Sequence, residues 1–183
     1  MGSPPEHTLG LPLHVIRLHD PRFTPLDATG AQTFGGRWNS PGANVVYAAL
    51  SYGGAILETR VHANVRTPPP RDIAVITIPA AVRIAEIRPT DLPGWDDTDQ
   101  IVSRAAGDAW LAAVRTVALI VPSRAGAPLE RNIVLNLAHA DAKKLSVESL
   151  GAVPWDLRLF GEPEPTAAHR RAGTKPAAPR KKK

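Results

Sequence analysis

A chain of 183 residues with 43% apolar residues is long enough for one ordinary core and too short for two comfortable ones, so one domain is expected. Its lack of cysteine excludes disulfides and thiolate metal sites. The net charge of +5 suggests nucleic acid only until the charge is located: residues 161–183, GEPEPTAAHRRAGTKPAAPRKKK, carry seven of the 22 Lys and Arg and two of the 17 Asp and Glu, which leaves 15 of each sign in residues 1–160.

The folded part is therefore formally neutral, and no direct nucleic-acid binding by the core is expected. The Pro/Ala/Lys composition of 161–183 is that of a disordered basic tail. At the other end, MGSPPEHTLGLP has no basic segment followed by an apolar run. No stretch approaches the ~20 apolar residues that span a bilayer, so a soluble, cytoplasmic protein is expected.

In chain order, the prolines and glycines of residues 1–12 predict a flexible lead-in, with the domain running over 13–160. HVIRLH (14–19) alternates as a strand, Val15 and Arg17 on one face and Ile16 and Leu18 on the other. A proline-punctuated loop, DPRFTPLDATG, follows. VVYAAL (45–50) reads as a short buried strand. Ser51 is a plausible N-cap for a helix through Val61, with Leu50, Gly54, Leu57 and Val61 spaced to pack inward and Glu58 at the margin of that stripe.

After the breaker TPPPRD, strands are predicted at 73–79 and 82–87. A helix is predicted over 96–114, opening on acidic residues suited to its N-terminus. TVALIVPS (116–123) is the most apolar strand candidate and is expected at the centre of its sheet. Further strands are predicted at 132–137, 144–149 and 155–160. Many strands and about two helices predict an α+β fold with a mixed or mostly antiparallel sheet.

Several chemistries lack their motifs. There is no H-E-x-x-H, no phosphate loop, no G-x-G-x-x-G and no G-x-S-x-G elbow, and no metal site is expected. What remains is concentrated in GGRWNSPGANVVYAALSYGGAILETRV (35–61). Arg37, after two glycines, offers a fork for phosphate or carboxylate, or is a surface-loop arginine. Tyr47 either fills the core or presents its face to a ring. Glu58 either sits partly desolvated at the edge of a packed helix face or is an exposed helical residue paired with Arg60 or His62. Ser123 either reaches a pocket from the sheet rim or caps a turn. Asn39, Asn132 and Asn136 could bond ligand hydroxyls or brace loops, and Arg17 could point to the same cleft.

Arg37 within GGRWNSPG, the VVYAA strand ten residues on, Glu58 in the next helix, Ser123 in VPS and then NIVLNLAHADAKKL together resemble the RES domain family, toxins of bacterial toxin-antitoxin pairs. The resemblance covers about residues 13–160, and the family's usual Asn-Pro stands here as Asn136-Leu137, near His139. It implies an ADP-ribosyltransferase-like fold and the breaking of the nicotinamide-ribose bond of NAD+ as substrate, without a true cofactor. The outcome would be hydrolysis, phosphorolysis or transfer of ADP-ribose to a protein such as a nucleotide-precursor synthetase. It also implies a helix-turn-helix antitoxin of Xre type that blocks the active site and binds DNA. By the same resemblance Glu58, Arg37 and Ser123 are the catalytic residues. Arg37 would hold the diphosphate and Tyr47 would stack on nicotinamide, with Arg17, Asn39 and Asn132 as further NAD+-binding candidates. A nucleotide-binding module without turnover is the alternative reading of the same residues.

Overall fold

Short strands, two of them apolar on both faces, build the protein. The computed structural model describes residues 4–63 and 68–161. Its strands are β1 (Glu6–Thr8), β2 (Leu13–His19), β3 (Val45–Ala49), β4 (Asp72–Ile78), β5 (Arg83–Glu86), β6 (Ala118–Pro122), β7 (Arg131–Asn136) and β8 (Ser146–Ala152). Three helices accompany them: α1 (Thr29–Phe34), α2 (Tyr52–Ala63) and α3 (Ile101–Ala113). The strands form one sheet in the order β1-β5-β6-β7-β3-β2-β4-β8. Only β5 and β6 pair in parallel, so the expected α+β class with a mostly antiparallel sheet is the one adopted. No helix among the described residues is long and apolar enough to cross a membrane.

Alternation divides the core between the two faces of the sheet. Ala118 and Ile120 of β6 pack with Val15, Val46, Ile76, Ile133 and Leu135 on one face. Leu119 and Val121 turn to the other, where Val45 and Val134 meet Trp38, Trp95 and Trp110. All five residues of β6 are buried, as its composition predicts, but β6 is third in the sheet. The central pair is β7 and β3. Tyr47 of β3 lies opposite Val134, and Ala49 opposite Asn132, so Tyr47 and Asn132 share the face that carries the tryptophans.

Other expectations differ from the fold as well. Within the predicted lead-in, Glu6–Thr8 pairs with β5, and the Glu6 carboxylate is held by Arg83 and Arg115 at 2.8 and 2.7 Å. The loop after β2 contains α1, which ends at Gly35 with φ 71° and follows an Asp27 carboxylate that accepts from the Thr29 N–H at 2.7 Å. The acidic run 96–99 is not the first turn of α3. Gln100, at φ 61°, separates the two. WDLRLF is no strand, since Leu157–Phe160 forms a 3-10 turn with Phe160 buried edge-on against Trp155. The predicted tail lies outside the described residues but for Gly161.

The α2 helix starts as predicted, with the Ser51 hydroxyl accepting from the Gly54 N–H at 2.9 Å and donating to Glu130 at 2.6 Å. Its inward face keeps only part of the predicted stripe. Leu57 and Val61 are 41% and 62% exposed, while Gly54 and Ala55 are buried. Small residues let the helix lie close to the sheet, and this rotation brings Glu58 inward.

The α3 helix meets the 35–40 loop just as closely. The backbone N–H of Ser40 donates to Asp108 at 2.8 Å, and a Cβ on Gly107 would overlap the Trp38 carbonyl. Gly107→Ala is therefore expected to destabilise the fold by about 3 kcal/mol, as overpacking against backbone does; a denaturant midpoint equal to that of the parent protein would contradict the contact.

Candidate active site

The cleft lies where α2 and the start of α3 stand apart over β3 and β7. It is a cavity of about 830 Å³ with Tyr47 and Asn132 from the sheet, Glu58, Val61 and His62 from α2, and Gly36, Arg37 and Trp38 from the loop before β3. Gln100 and Arg104 at the head of α3, Pro122 at the end of β6, and Arg124 and Ala125 after it also line the cavity. A smaller cavity of about 230 Å³ adjoins it, sharing Tyr47, Glu58, His62 and Asn132. The volume is within the range of small-molecule sites.

Glu58 is the best-held polar group of the cleft. Its Oε1 accepts from the Ser123 hydroxyl and from the Asn132 side-chain amide, each at 2.7 Å. Its Oε2 is left toward the cavity, with His62 Nε2 3.6 Å away, one helical turn on. Hydrogen bonds to a charged acceptor contribute about 1.5–3 kcal/mol each, enough to offset a good part of the cost of placing a carboxylate against the sheet. Ser123 also accepts from the Gly126 N–H at 3.0 Å, so the same buried hydroxyl caps a turn and braces the glutamate. Of the expected pairings of Glu58, His62 is near, whereas Arg60 donates to the Leu159 carbonyl and covers the Phe160 ring.

Arg37 is anchored by the chain that follows the 3-10 turn Pro89–Asp91. It donates to the carbonyls of Trp95 and Asp97 at 3.0 and 2.9 Å, and the Trp38–Trp95 stack, centroids 6.4 Å apart, fixes the two loops together. Partial burial lowers the pKa of its guanidinium, and the neighbouring Arg124 cation lowers it further, against Asp96, Glu58 and Asp97. Arg104, which the sequence did not single out, donates to the Gly36 carbonyl at 3.3 Å and to Gln100 at 3.1 Å.

Tyr47 is held from behind. Its hydroxyl donates to Asn39 Oδ1 at 2.6 Å and accepts from the Trp38 N–H at 3.1 Å. Gly36 is required here, since a Cβ on it would stand 2.6 Å from that hydroxyl. Asn39 is fully buried and donates to the carbonyls of Ala31 and Ser40. It positions Tyr47 and does not face the cavity.

Arg17 lines the smaller adjoining cavity but not the larger one. Ile16 lies opposite Ala49, so Ile16 and Leu18 share the face of Tyr47, and Arg17 turns with Val15 to the opposite face. There it donates to the carbonyls of Tyr47 and Asp27 at 2.8 and 3.0 Å. Burial draws its pKa down to about 10, the nearby Asp27 opposing. Asn136 and His139 serve the chain itself, accepting from the N–H groups of Ala138 and Asp141. The cleft thus brings together Arg37, Tyr47, Glu58 and Asn132 of the candidates, with Ser123 buried behind Glu58, Arg17 at the smaller adjoining cavity and Asn39 as a support beneath Tyr47.

The sequence matches the RES domain over residues 14–157. The chain belongs to the RES family. This RES protein is 40% identical over 140 residues to the Prs ADP-ribosylating toxin of Sphingobium sp. (strain YBL2), a match that covers 74% of the chain and 86% of that relative. It is 33% identical over 141 residues to the toxin Res of Pseudomonas putida (strain KT2440), covering 75% and 94% of the two chains. Among solved structures it is similar to one from the M. tuberculosis MbcT-MbcA toxin-antitoxin complex, with a TM-score of 0.66 over 84% of this chain and 90% of that one. At 17% identity that likeness concerns the fold.

Burial raises the Tyr47 pKa well above that of an ordinary phenol. The folded state then keeps a proton that the unfolded chain loses near pH 10, so stability is unaffected by Tyr47 below about pH 10 and falls as pH rises beyond it. In Tyr52→Phe, where Tyr47 is the one tyrosine left, the folded protein at about pH 11 is expected to lack tyrosinate ultraviolet absorbance until denaturant is added; tyrosinate formed while the fold persists would show that the phenol is not enclosed.

Proposed function

We propose that this protein is the toxin of a toxin-antitoxin pair and that it breaks the nicotinamide-ribose bond of NAD+. The observation that carries the reading is the division of labour at Glu58, one oxygen bound by Ser123 and Asn132 and the other toward the cleft. Breaking the bond sends its electron pair to nicotinamide and leaves positive charge on the ribose carbon. A carboxylate held beside that carbon stabilises charge present only in the transition state. Nicotinamide departs neutral, so the leaving group needs no proton.

The remaining residues would orient the dinucleotide. Arg37, already fixed by two carbonyls, would pair with the diphosphate and set the ribose over Glu58. Tyr47 would offer its ring to nicotinamide. Asn132, whose amide nitrogen is committed to Glu58 and which lines the cavity, would help fix the carboxylate beside the ribose. Ser123 would act through Glu58 as a positioning residue.

The acceptor of the ADP-ribosyl group would be water or phosphate, which drains NAD+. The relative named as a Prs ADP-ribosylating toxin favours a second reading, transfer to a protein such as a nucleotide-precursor synthetase. The partner would be a helix-turn-helix antitoxin of Xre type, covering the cleft. Phe34 and Val61, 81% and 62% exposed at its edge, supply apolar surface for such a contact.

With purified protein and NAD+, free nicotinamide is expected to accumulate. Glu58→Gln should slow its release about 10²–10³-fold while the unfolding midpoint stays close to the parent's, since an amide oxygen can still accept from Ser123 and Asn132. NAD+ bound without release by the parent protein would instead indicate a binding module. Mass added to a target protein would indicate transfer, and free ADP-ribose or its 1-phosphate would indicate hydrolysis or phosphorolysis.

A further inference from the structure

Charge in the cleft is divided by sign. Three guanidiniums line it, those of Arg37, Arg104 and Arg124, against one carboxylate, Glu58, although residues 1–160 are balanced in sign. The three arginines are not equivalent. Arg37 is tied to the carbonyls of Trp95 and Asp97, and Arg104 to Gly36 and Gln100. The exposed Arg124 side chain has no hydrogen bond or ion pair among the described residues.

Its backbone, by contrast, is fixed. Arg124 directly follows Ser123, whose hydroxyl is bonded to Glu58 and to the Gly126 N–H, and whose own N–H donates to the Glu130 carbonyl at 3.1 Å. The turn that seats the glutamate therefore seats Arg124 at the same mouth. Its cation is close enough to Arg37 to act on it electrostatically. Two guanidiniums lining one cavity repel one another, even with Asp96, Glu58 and Asp97 acting on Arg37 in the opposite sense, and the arrangement suits an anion that carries charge at two neighbouring centres.

We propose that Arg124 is the second jaw of a two-arginine clamp on the diphosphate of the substrate, Arg37 taking one phosphate and Arg124 the other. This rests on reading the cleft as a dinucleotide site. A diphosphate places one negative charge on each phosphorus, and a guanidinium fork matches the paired oxygens of each. The clamp makes Arg124 a specificity residue: it selects ligands with two linked phosphates and does not take part in bond breaking at the ribose carbon.

Calorimetric binding of ADP-ribose, inorganic pyrophosphate and nicotinamide to the full chain, to Arg124→Gln and to Arg124→Lys tests this separately from turnover. The expected result is about tenfold weaker binding of ADP-ribose and pyrophosphate in Arg124→Gln, partial recovery in Arg124→Lys and unchanged affinity for nicotinamide. In steady-state nicotinamide release, the same loss should fall on KM for NAD+ with kcat nearly unchanged. Equal pyrophosphate and ADP-ribose affinity in parent and Arg124→Gln overturns the clamp. So does a variant whose defect is confined to the dependence on added inorganic phosphate, which would place Arg124 on the attacking group. A parent protein that binds ADP-ribose through Arg124 but releases no nicotinamide upholds the clamp and refutes the proposed reaction.

Discussion

Two donors meeting one carboxylate oxygen hold the cleft in shape. Glu58 reaches inward from α2, and its partners come from the turn after β6 and from the start of β7. A carboxylate brought against a sheet without such partners would lose hydration and gain nothing. The requirement sets the roll of α2 about its axis: Gly54 and Ala55 face the sheet, and Leu57 and Val61 are left outside. Ser51 and Glu130 repeat the logic at the head of the helix, tying it to the same β6–β7 turn. The helix is thus docked by polar contacts at two levels, and the apolar packing follows their geometry.

Around this centre the groups that would meet a ligand are each held by others that do not. Asn39 and the Trp38 N–H hold Tyr47, the carbonyls of Trp95 and Asp97 hold Arg37, and Arg17 supports the Tyr47 backbone from the far face. Such support restricts rotamers before a ligand arrives, the condition for catalysis by positioning. Glu58 and the three guanidiniums that line the cleft suit the proposed substrate, NAD+, cationic at its nicotinamide end and anionic at its diphosphate.

Much of this was legible in the chain. Alternation in HVIRLH and the continuous apolar runs of VVYAAL and TVALIVPS located three strands, and the hydroxyl of Ser51 located the start of α2. Density of polar residues in an apolar setting pointed to Arg37, Tyr47 and Glu58, which the fold does bring to one cavity. The failures share a cause, tertiary contact overriding local pattern. The stripe of Leu50, Gly54, Leu57 and Val61 marked Gly54 as a close-packing position but could not show that Ala55, and not Leu57 and Val61, faces the sheet beside it. Strand β1, only three residues long, owes its place to β5 and to two arginines far along the sequence. Arg17 alternates correctly with its neighbours, yet which face carries the cleft is settled by the pairing of β2 with β3. Arg104 and Arg124 had no local mark at all, because a lining position exists only once α3 and the β6–β7 turn face each other. The short α1 could have been found from Asp27 and Gly35, its boundary residues.

The most direct measurement is a crystal structure of the Glu58→Gln variant with NAD+ bound. The account requires the nicotinamide ribose to lie with its anomeric carbon within about 3.5 Å of the residue 58 side chain, a near-attack distance, and the diphosphate to rest on Arg37. A dinucleotide bound elsewhere on the surface, or seated in the cleft with its ribose turned away from residue 58, would contradict it.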